Sequence, residues 1–325
     1  MVKIIGTGSY VPEIVITNKQ LEEKVNTSDA WIQENLGIKE RRVTPEHQTT
    51  SDLAAYSAIN AIQYAGITPD EIDLIIVATT TPDRKAPPTA CIVQDKIKAY
   101  NSVAFDINAV CAGFLVGMAT ANNFLMNRTY TTALLIGVDV FSRITDWTKR
   151  DAVYFGDGAG AVIMRYNKHT NFSGFRHLEM LSDGRGKDDF TVPYGGTEKP
   201  LASSNINEGN QFFKMYGRGV YNKATSVLPV AINKCLKETG LRIEDIDMMI
   251  PHQPSIRTLR KVAELVGLPQ EKLMTNMEYY GNTASASIPL LLDQVNRKNK
   301  IKDGKKILFA AIGSGWTWGA GIYEW

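Results

Sequence analysis

Cys111 is the residue whose surroundings read most clearly as a place for chemistry. The β-rich run SVAFDINAV leads into it, and the small residues Ala112 and Gly113 follow at the start of the helical pattern AGFLVGMATANNFL. A thiol at a helix start meets free backbone N–H groups and the positive end of the helix dipole, which favour a thiolate by about 1 kcal/mol. The same N–H groups can face the oxyanion formed when a nucleophile adds to an acyl carbon. The other two cysteines differ. Cys91, in TACIVQDKI, and Cys235, in AINKCLKE, lie inside helical patterns and read as small buried hydrophobes. Three scattered cysteines form no disulfide framework and no CxxC pair, which suits a reducing compartment.

His252 stands in IPHQPS, at the end of a strand closed by Pro251 and followed by the stiffening Pro254. Asn282 stands in YGNTASAS, ahead of the run TASASIPLLLDQV. Each has a structural explanation taken alone: a strand-end histidine that makes one hydrogen bond, an asparagine that caps a helix. Together with Cys111 they supply a nucleophile and two neutral donors. Two such donors turned to one thioester carbonyl stabilise an enolate, the species left when a malonyl thioester loses carbon dioxide. An acidic residue there would repel that anion. No metal chemistry is indicated: His47, His169, His177 and His252 are far apart and no HExxH occurs.

The elements that must position these residues follow a simple grammar. Short apolar runs at 3–6, 74–79, 102–108, 132–138 and 159–166, then 246–251, 305–312 and 319–324, alternate with helical segments. Runs apolar on both faces and separated by helices predict parallel strands covered by helices. The helix LAAYSAINAIQYAG has Thr50-Ser51-Asp52 before it and Gly66 at its end. Two halves share the pattern. GITPDEIDLII, from Gly66, matches GLRIEDIDMMI, from Gly240, and GDGAGAVIMRY echoes GSGWTWGAGIYEW. The half boundary falls near 168, giving halves 1–168 and 169–325, with 170–215 read as surface loops and hairpins. On this reading Cys111 and Asn282 occupy corresponding points of the repeats, and all three candidates lie at strand C-terminal ends, where α/β sheets hold ligands.

Bulk properties exclude several classes. The chain has 325 residues, 44% hydrophobic and 22% charged, with a formal net charge of +2; nothing there suggests nucleic-acid binding. The start MVKIIGTGSYVPE lacks a signal-peptide core, and runs such as LIIVA and ALLIGV are too short to cross a bilayer. The expectation is a soluble cytoplasmic protein without membrane insertion.

KIIGTGSYVPE, TSDAWI, GIKER, VATTTPD, AFDINAVCAGF, GDGAGA, PHQ, YGNTASAS and TWG together resemble the β-ketoacyl-acyl-carrier-protein synthase III family of the thiolase superfamily, over essentially the whole chain. The resemblance implies a thiolase-like five-layer αβαβα sandwich of two similar halves. It implies a catalytic triad of Cys111, His252 and Asn282, with the backbone N–H groups of Cys111 and Ser314 as oxyanion hole. It also implies a two-stage reaction. Cys111 is acylated from acyl-CoA; malonyl-acyl carrier protein then enters, loses carbon dioxide and attacks the acyl-enzyme. No cofactor is implied, acyl-CoA being a substrate, and similar enzymes are homodimers. Trp31 and Arg150 match the pair that sandwiches the adenine of CoA. Lys214, Arg257, Arg260 and Lys261 could meet CoA phosphates or the acidic carrier protein; the last three share a helix whose charge run alone reads as a solvated face, and the resemblance lifts Lys214 and Arg257 above it.

Four positions depart from the family's usual pattern. Asn35 replaces an arginine that touches CoA. Ser255 replaces the asparagine that holds the pantetheine arm. Ile312 replaces a phenylalanine beside the triad. Ala86 stands where many relatives place a bulky residue that closes the acyl pocket from the partner subunit, so a longer primer than acetyl is expected. Three other readings compete: a non-elongating acyltransferase of secondary metabolism on the same fold, a silent partner subunit, and a cysteine hydrolase.

Overall fold

A computed structural model describes residues 1–168 and 174–325. Residues 169–173, which include His169 and the expected start of the second half, lie outside the described residues.

Two sheets carry the fold. In the first half, strands β1 (Val2–Tyr10), β2 (Leu74–Ala78), β3 (Val103–Ile107), β4 (Thr132–Asp139) and β5 (Gly158–Tyr166) lie in the order β1-β5-β4-β2-β3. In the second half, β6 (Gly174–Ser182), β7 (Met248–Pro251), β8 (Lys306–Gly313) and β9 (Thr317–Glu324) lie in the order β7-β8-β9-β6. The middle of each sheet matches the expected runs. The sheets are mixed, however, and not purely parallel. β2 runs parallel to β3 and β4, and β7 parallel to β8. The terminal Gly-rich strands β5 and β9 run antiparallel to their neighbours. β6 corrects the reading of 170–215 as surface loops and hairpins, because Gly174–Ser182 is a strand of the second main sheet: its residues half-bury an uneven pattern against β9, a weaker signal than an all-apolar run.

Among the described residues, seven helices of eight residues or more fill three layers: α1 (Asp29–Leu36), α2 (Thr50–Ala65), α3 (Thr89–Ile97), α4 (Gly113–Met126), α5 (Gly217–Thr239), α6 (Ile256–Val266) and α7 (Ser287–Arg297). One apolar cluster joins α2 and α3 to the outer face of the first sheet. A second, with Phe114, Met118, Leu291 and Phe309, sandwiches α4 and α7 between the sheets. A third packs α1, α5 and α6 on the outer face of the second sheet. This is the five-layer αβαβα sandwich of the thiolase-like fold. β2, LIIVA, is buried at every residue because it has a helix layer on both sides.

The two halves repeat down to their turns. α2 stops at Gly66 (φ 65°) and α5 at Gly240 (φ 66°), left-handed positions that a glycine takes without steric cost. Each is followed by one 3₁₀ turn, Pro69–Glu71 or Ile243–Asp245, and then by the parallel strand β2 or β7. An aspartate closes each turn: Asp73 accepts from the N–H groups of Thr131 and Thr132, and Asp247 from that of Lys306.

Candidate active site

The central-layer helices α4 and α7 are each preceded by a 3₁₀ turn whose first residue is left-handed. Val110 (φ 49°) opens the turn Val110–Ala112 before α4, and Ala284 (φ 48°) opens Ala284–Ala286 before α7. In each turn an asparagine two residues earlier accepts from that residue's N–H: Asn108 from Val110 at 3.1 Å, Asn282 from Ala284 at 2.9 Å. The expected correspondence is therefore shifted by three. Asn282 matches Asn108, and the counterpart of Cys111 is Ser285.

Each turn is clasped by the opposite half. A Cβ on Gly313, at the end of β8, would come within 2.3 Å of the Ala109 carbonyl and 3.1 Å of the Cys111 nitrogen. A Cβ on Gly137, near the end of β4, would come within 2.3 Å of the Ser285 carbonyl. Only glycine permits backbones to approach so closely. The Cys111 turn is thereby held against Gly313 and Ser314.

Asn282 is stitched into the first half. Its N–H donates to the Tyr154 carbonyl at 2.9 Å, and its carbonyl accepts from Gly156 at 3.0 Å. With Oδ1 occupied by the Ala284 N–H, the amide's Nδ2, two donors and no acceptor, is left for the cavity. His252, after β7, donates its backbone N–H to Ala310 at 2.8 Å, and its Nδ1 lies 2.8 Å from Ser287 Oγ. Ser287 Oγ also donates to the Ala284 carbonyl. The imidazole is thus fixed from its Nδ1 side, leaving Nε2 unengaged.

Cys111, His252, Asn282, Ile312 and Ser314 line one cavity of about 550 Å³. Around the sulfur its wall is apolar: Phe155 and Phe190 line it and belong to a stack with Phe141 and Phe213 that packs on Cys111. Farther out the lining includes Trp31, Asn35, Ser255, Arg218, Tyr221 and Arg257. Among these, Arg218 and Tyr221 were not expected; they enter because the start of α5 borders the cavity, a placement that no local motif signals.

Electrostatics correct the expected thiolate. Burial, then the nearby Asp139 carboxylate, push the Cys111 thiol well above its ordinary value, although its own N–H works the other way. The sulfur sits in the 3₁₀ turn before α4, and loss of solvation outweighs the dipole there. Burial likewise pushes His252 down to about 3, against a hydrogen bond with the Ala284 carbonyl. Both groups are therefore neutral at rest. His252 is 4% exposed, and the refused proton has a cost. Below pH 6.5 the unfolded chain protonates this histidine and the folded chain does not, so it removes about 1.4 kcal/mol of stability per pH unit down to about pH 3. Chemical denaturation at a series of pH values is expected to show a slope for His252→Gln shallower by one proton in that window; equal slopes would contradict a neutral buried imidazole.

Other expected residues fall at varied distances from this centre. Arg150 stacks directly on Trp31, its guanidinium 4.2 Å from the ring centroid, so the pair closes on itself and leaves no open slot for a purine. Ser255 is the N-cap of α6, its Oγ accepting from Thr258 N, a role its place in PHQPS did not reveal. Asn35 donates to the Trp31 carbonyl. Arg257 lies over the Tyr221 ring at 5.3 Å. Arg260 is exposed and outside the cavity lining, and Lys261 pairs with Glu264 at 2.7 Å. Lys214 borders a neighbouring charged groove with Lys149, Arg150 and Glu208. Ala86 is exposed on its loop and does not line the cavity of this chain. Among the described residues no group of three or more His, Cys, Asp and Glu gathers as a metal site.

Models of 3-oxoacyl-[acyl-carrier-protein (ACP)] synthase III match residues 105–184 and, for its C-terminal part, 236–325. A β-ketoacyl-[acyl-carrier-protein] synthase III of Clostridium acetobutylicum is 45% identical over 331 residues, spanning 100% of this chain and 98% of that protein. One from Clostridium tetani is 40% identical, with 100% and 98% covered. The crystal structure of 3-oxoacyl-[acyl-carrier-protein] synthase III from Aquifex aeolicus superposes with a TM-score of 0.92 at 36% identity, over 100% of both chains. The cavity with its cysteine, histidine and asparagine thus sits in a chain that belongs to the β-ketoacyl-[acyl-carrier-protein] synthase III family.

Proposed function

We propose that the protein joins an acyl group to a malonyl-derived unit by decarboxylative condensation, with Cys111 as the acyl carrier and His252 and Asn282 as the donors that stabilise the enolate. The observation that carries this reading is the shared cavity: a thiol, a neutral imidazole and an outward-facing amide from three separate segments line one apolar pocket. In the first stage His252 Nε2 takes the Cys111 proton as sulfur attacks the donor thioester. The N–H groups of Cys111 and Ser314 receive the oxyanion, and CoA leaves with the proton. In the second stage the Ser287 hydroxyl turns from the Ala284 carbonyl to donate to His252 Nδ1, which leaves the neutral ring's proton on Nε2, and the malonyl thioester carbonyl sits between His252 Nε2–H and Asn282 Nδ2. Carbon dioxide leaves, the resulting carbanion attacks the acyl-Cys111 carbonyl, the carbon–sulfur bond breaks, and the departing sulfur takes up one proton from solvent to regain the thiol. Apolar walls strengthen both donors by excluding water.

The substrates in this reading are an acyl-CoA and a malonyl-acyl carrier protein, with no cofactor. CoA enters past Trp31 and Arg150, parting that stack so that a ring and a guanidinium face the purine. Arg257, with Lys214, Arg260 and Lys261, offers charge to phosphates or to an acidic carrier. Replacing Trp31 with alanine is expected to raise KM for acyl-CoA about 10-fold with little change in kcat, the pattern of lost uniform binding; steady-state kinetics checks it.

A homodimer is part of the reading. β3 is an edge strand of the first sheet, and Val103 on it is 49% exposed, so its free backbone groups can pair with a second copy. Ala86 would reach an acyl pocket only across such an interface. Among the described residues no helix is long and apolar enough to cross a membrane, and action in the cytoplasm fits free thiols and CoA chemistry.

The test incubates the protein with a panel of acyl-CoAs and malonyl-carrier protein and follows carbon dioxide. Release that depends on the acyl donor supports condensation. Acyl transfer to the carrier without release would favour the non-elongating acyltransferase, and free acid alone would favour a hydrolase.

A further inference from the structure

Asp139 ends β4, is 0% exposed, and takes no direct part in the reaction described above. Burial pushes its carboxyl above the usual range, and the hydrogen bonds it accepts from Ser285, Thr80 and Thr81 work the other way; a buried carboxylate without a cation is costly unless every lone pair is met. Here the donors are backbone N–H groups and hydroxyls from both halves. Oδ1 accepts from Thr80 N at 2.7 Å, Thr81 N at 3.2 Å, Thr81 Oγ1 at 3.0 Å and Thr79 Oγ1 at 3.3 Å. Oδ2 accepts from Ser285 N at 3.0 Å and Ser285 Oγ at 2.5 Å.

We propose, building on the condensation reading, that Asp139 is a positioning residue for the decarboxylation step: its carboxylate fixes the Ala284–Ala286 turn, and through it the Asn282 amide and the His252 ring. The path is short. Ser285 is the residue next to left-handed Ala284. The Ala284 N–H holds Asn282 Oδ1, which turns Nδ2 outward. The Ala284 carbonyl accepts from the Ser287 N–H and hydroxyl, and the same hydroxyl meets His252 Nδ1. Both enolate donors are therefore aligned by one turn, and that turn is gripped from the first half by the carboxylate, which meets both the Ser285 N–H and its hydroxyl, beside the Ala78 and Val138 carbonyls within reach of the same hydroxyl and the Gly137 backbone. Both turns meet a close backbone approach from the opposite half, Gly313 at the nucleophile and Gly137 at the donors; the donor-side turn is in addition held by the carboxylate.

Asp139→Asn tests this. Four donors keep the amide oxygen on the Thr79–Thr81 side, so the new NH₂ opposes the Ser285 N–H and releases the turn. Three readouts are taken on the full chain: acylation of Cys111 by intact mass, carbon dioxide release from malonyl-carrier protein, and hydrogen exchange across 282–287. Acylation is expected to stay within about 3-fold, while carbon dioxide release falls about 30-fold, the scale on which small misplacements act. Exchange across 282–287 is expected to quicken. Equal loss in both half-reactions would mean a general structural role and overturn the proposal, as would unchanged release. Ser285→Ala, a milder change that keeps the fold if Asp139→Asn does not, is expected to lower release about 5-fold with acylation intact; no change overturns the proposal. If the unaltered protein releases no carbon dioxide, the condensation reading fails. The exchange arm then decides alone: quickening confined to 282–287 supports Asp139 as the anchor of this turn, and unchanged exchange rejects it.

Discussion

Cys111→Ala is expected to take up no acyl group from any acyl-CoA and to condense at least about 10³-fold more slowly, yet still to release carbon dioxide slowly from malonyl-carrier protein. The first two outcomes follow from covalent catalysis: without sulfur there is no acyl-enzyme for the carbanion to attack. The third follows from geometry. His252 is held by Ser287 and Ala310, and Asn282 by Ala284, Tyr154 and Gly156, none of which depends on the thiol. Alanine is smaller than cysteine and meets the same phenylalanine wall, so the donors stay in place. Intact mass and carbon dioxide assays check the three outcomes together. Loss of malonyl decarboxylation along with acylation would show that the donors do not act apart from the sulfur.

The complementary change, Asn282→Ala, is expected to lower carbon dioxide release by about 10²- to 10³-fold, the usual cost of removing one preorganised donor to a developing oxyanion. Acylation of Cys111 is expected to fall far less, because Asn282 donates nothing to the first stage. The variant should therefore accumulate acyl-enzyme that malonyl-carrier protein fails to clear. His252→Ala is expected to impair both stages, since the imidazole takes the thiol proton first and serves the enolate later. Its neutrality matters here: with the ring pushed down to about 3 by burial, it stays uncharged above that pH, and malonyl decarboxylation should show no His-like titration near pH 6.5. Rapid-quench kinetics that separate the two stages tests both variants.

Much of this site was legible in the residues. Runs such as LIIVA and ALLIGV announced buried strands because layers on both faces demand uninterrupted apolar residues. The repeat of GITPDEIDLII in GLRIEDIDMMI announced the two halves, and the small residues after Cys111 announced a turn into a helix. What stayed hidden depends on long-range pairing. The antiparallel direction of β5 and β9 is set by which neighbour each meets, not by its own sequence. β6 buries too uneven a face to stand out from the loops around it. The three-residue shift that pairs Cys111 with Ser285 rests on left-handed Val110 and Ala284, and neither residue type advertises that backbone. Asp139 gave one signal, a lone carboxylate at the end of the apolar run ALLIGV, but its donors lie 58 to 146 residues away in the chain. Beyond Arg257, the basic face of α6 lies apart from the cavity: Lys261 pairs with Glu264, and Arg260 is exposed and outside the lining.

A pulse and chase on the unaltered protein probes the core of the account. Cys111 is loaded from a labelled acyl-CoA, free donor is removed, and malonyl-carrier protein is added while the label and carbon dioxide are both counted. The expected result is transfer of the label from Cys111 to the carrier protein as a lengthened acyl chain, one carbon dioxide for each acyl group moved. Label that stays on Cys111 while carbon dioxide appears, or that reaches the carrier with none released, would contradict it.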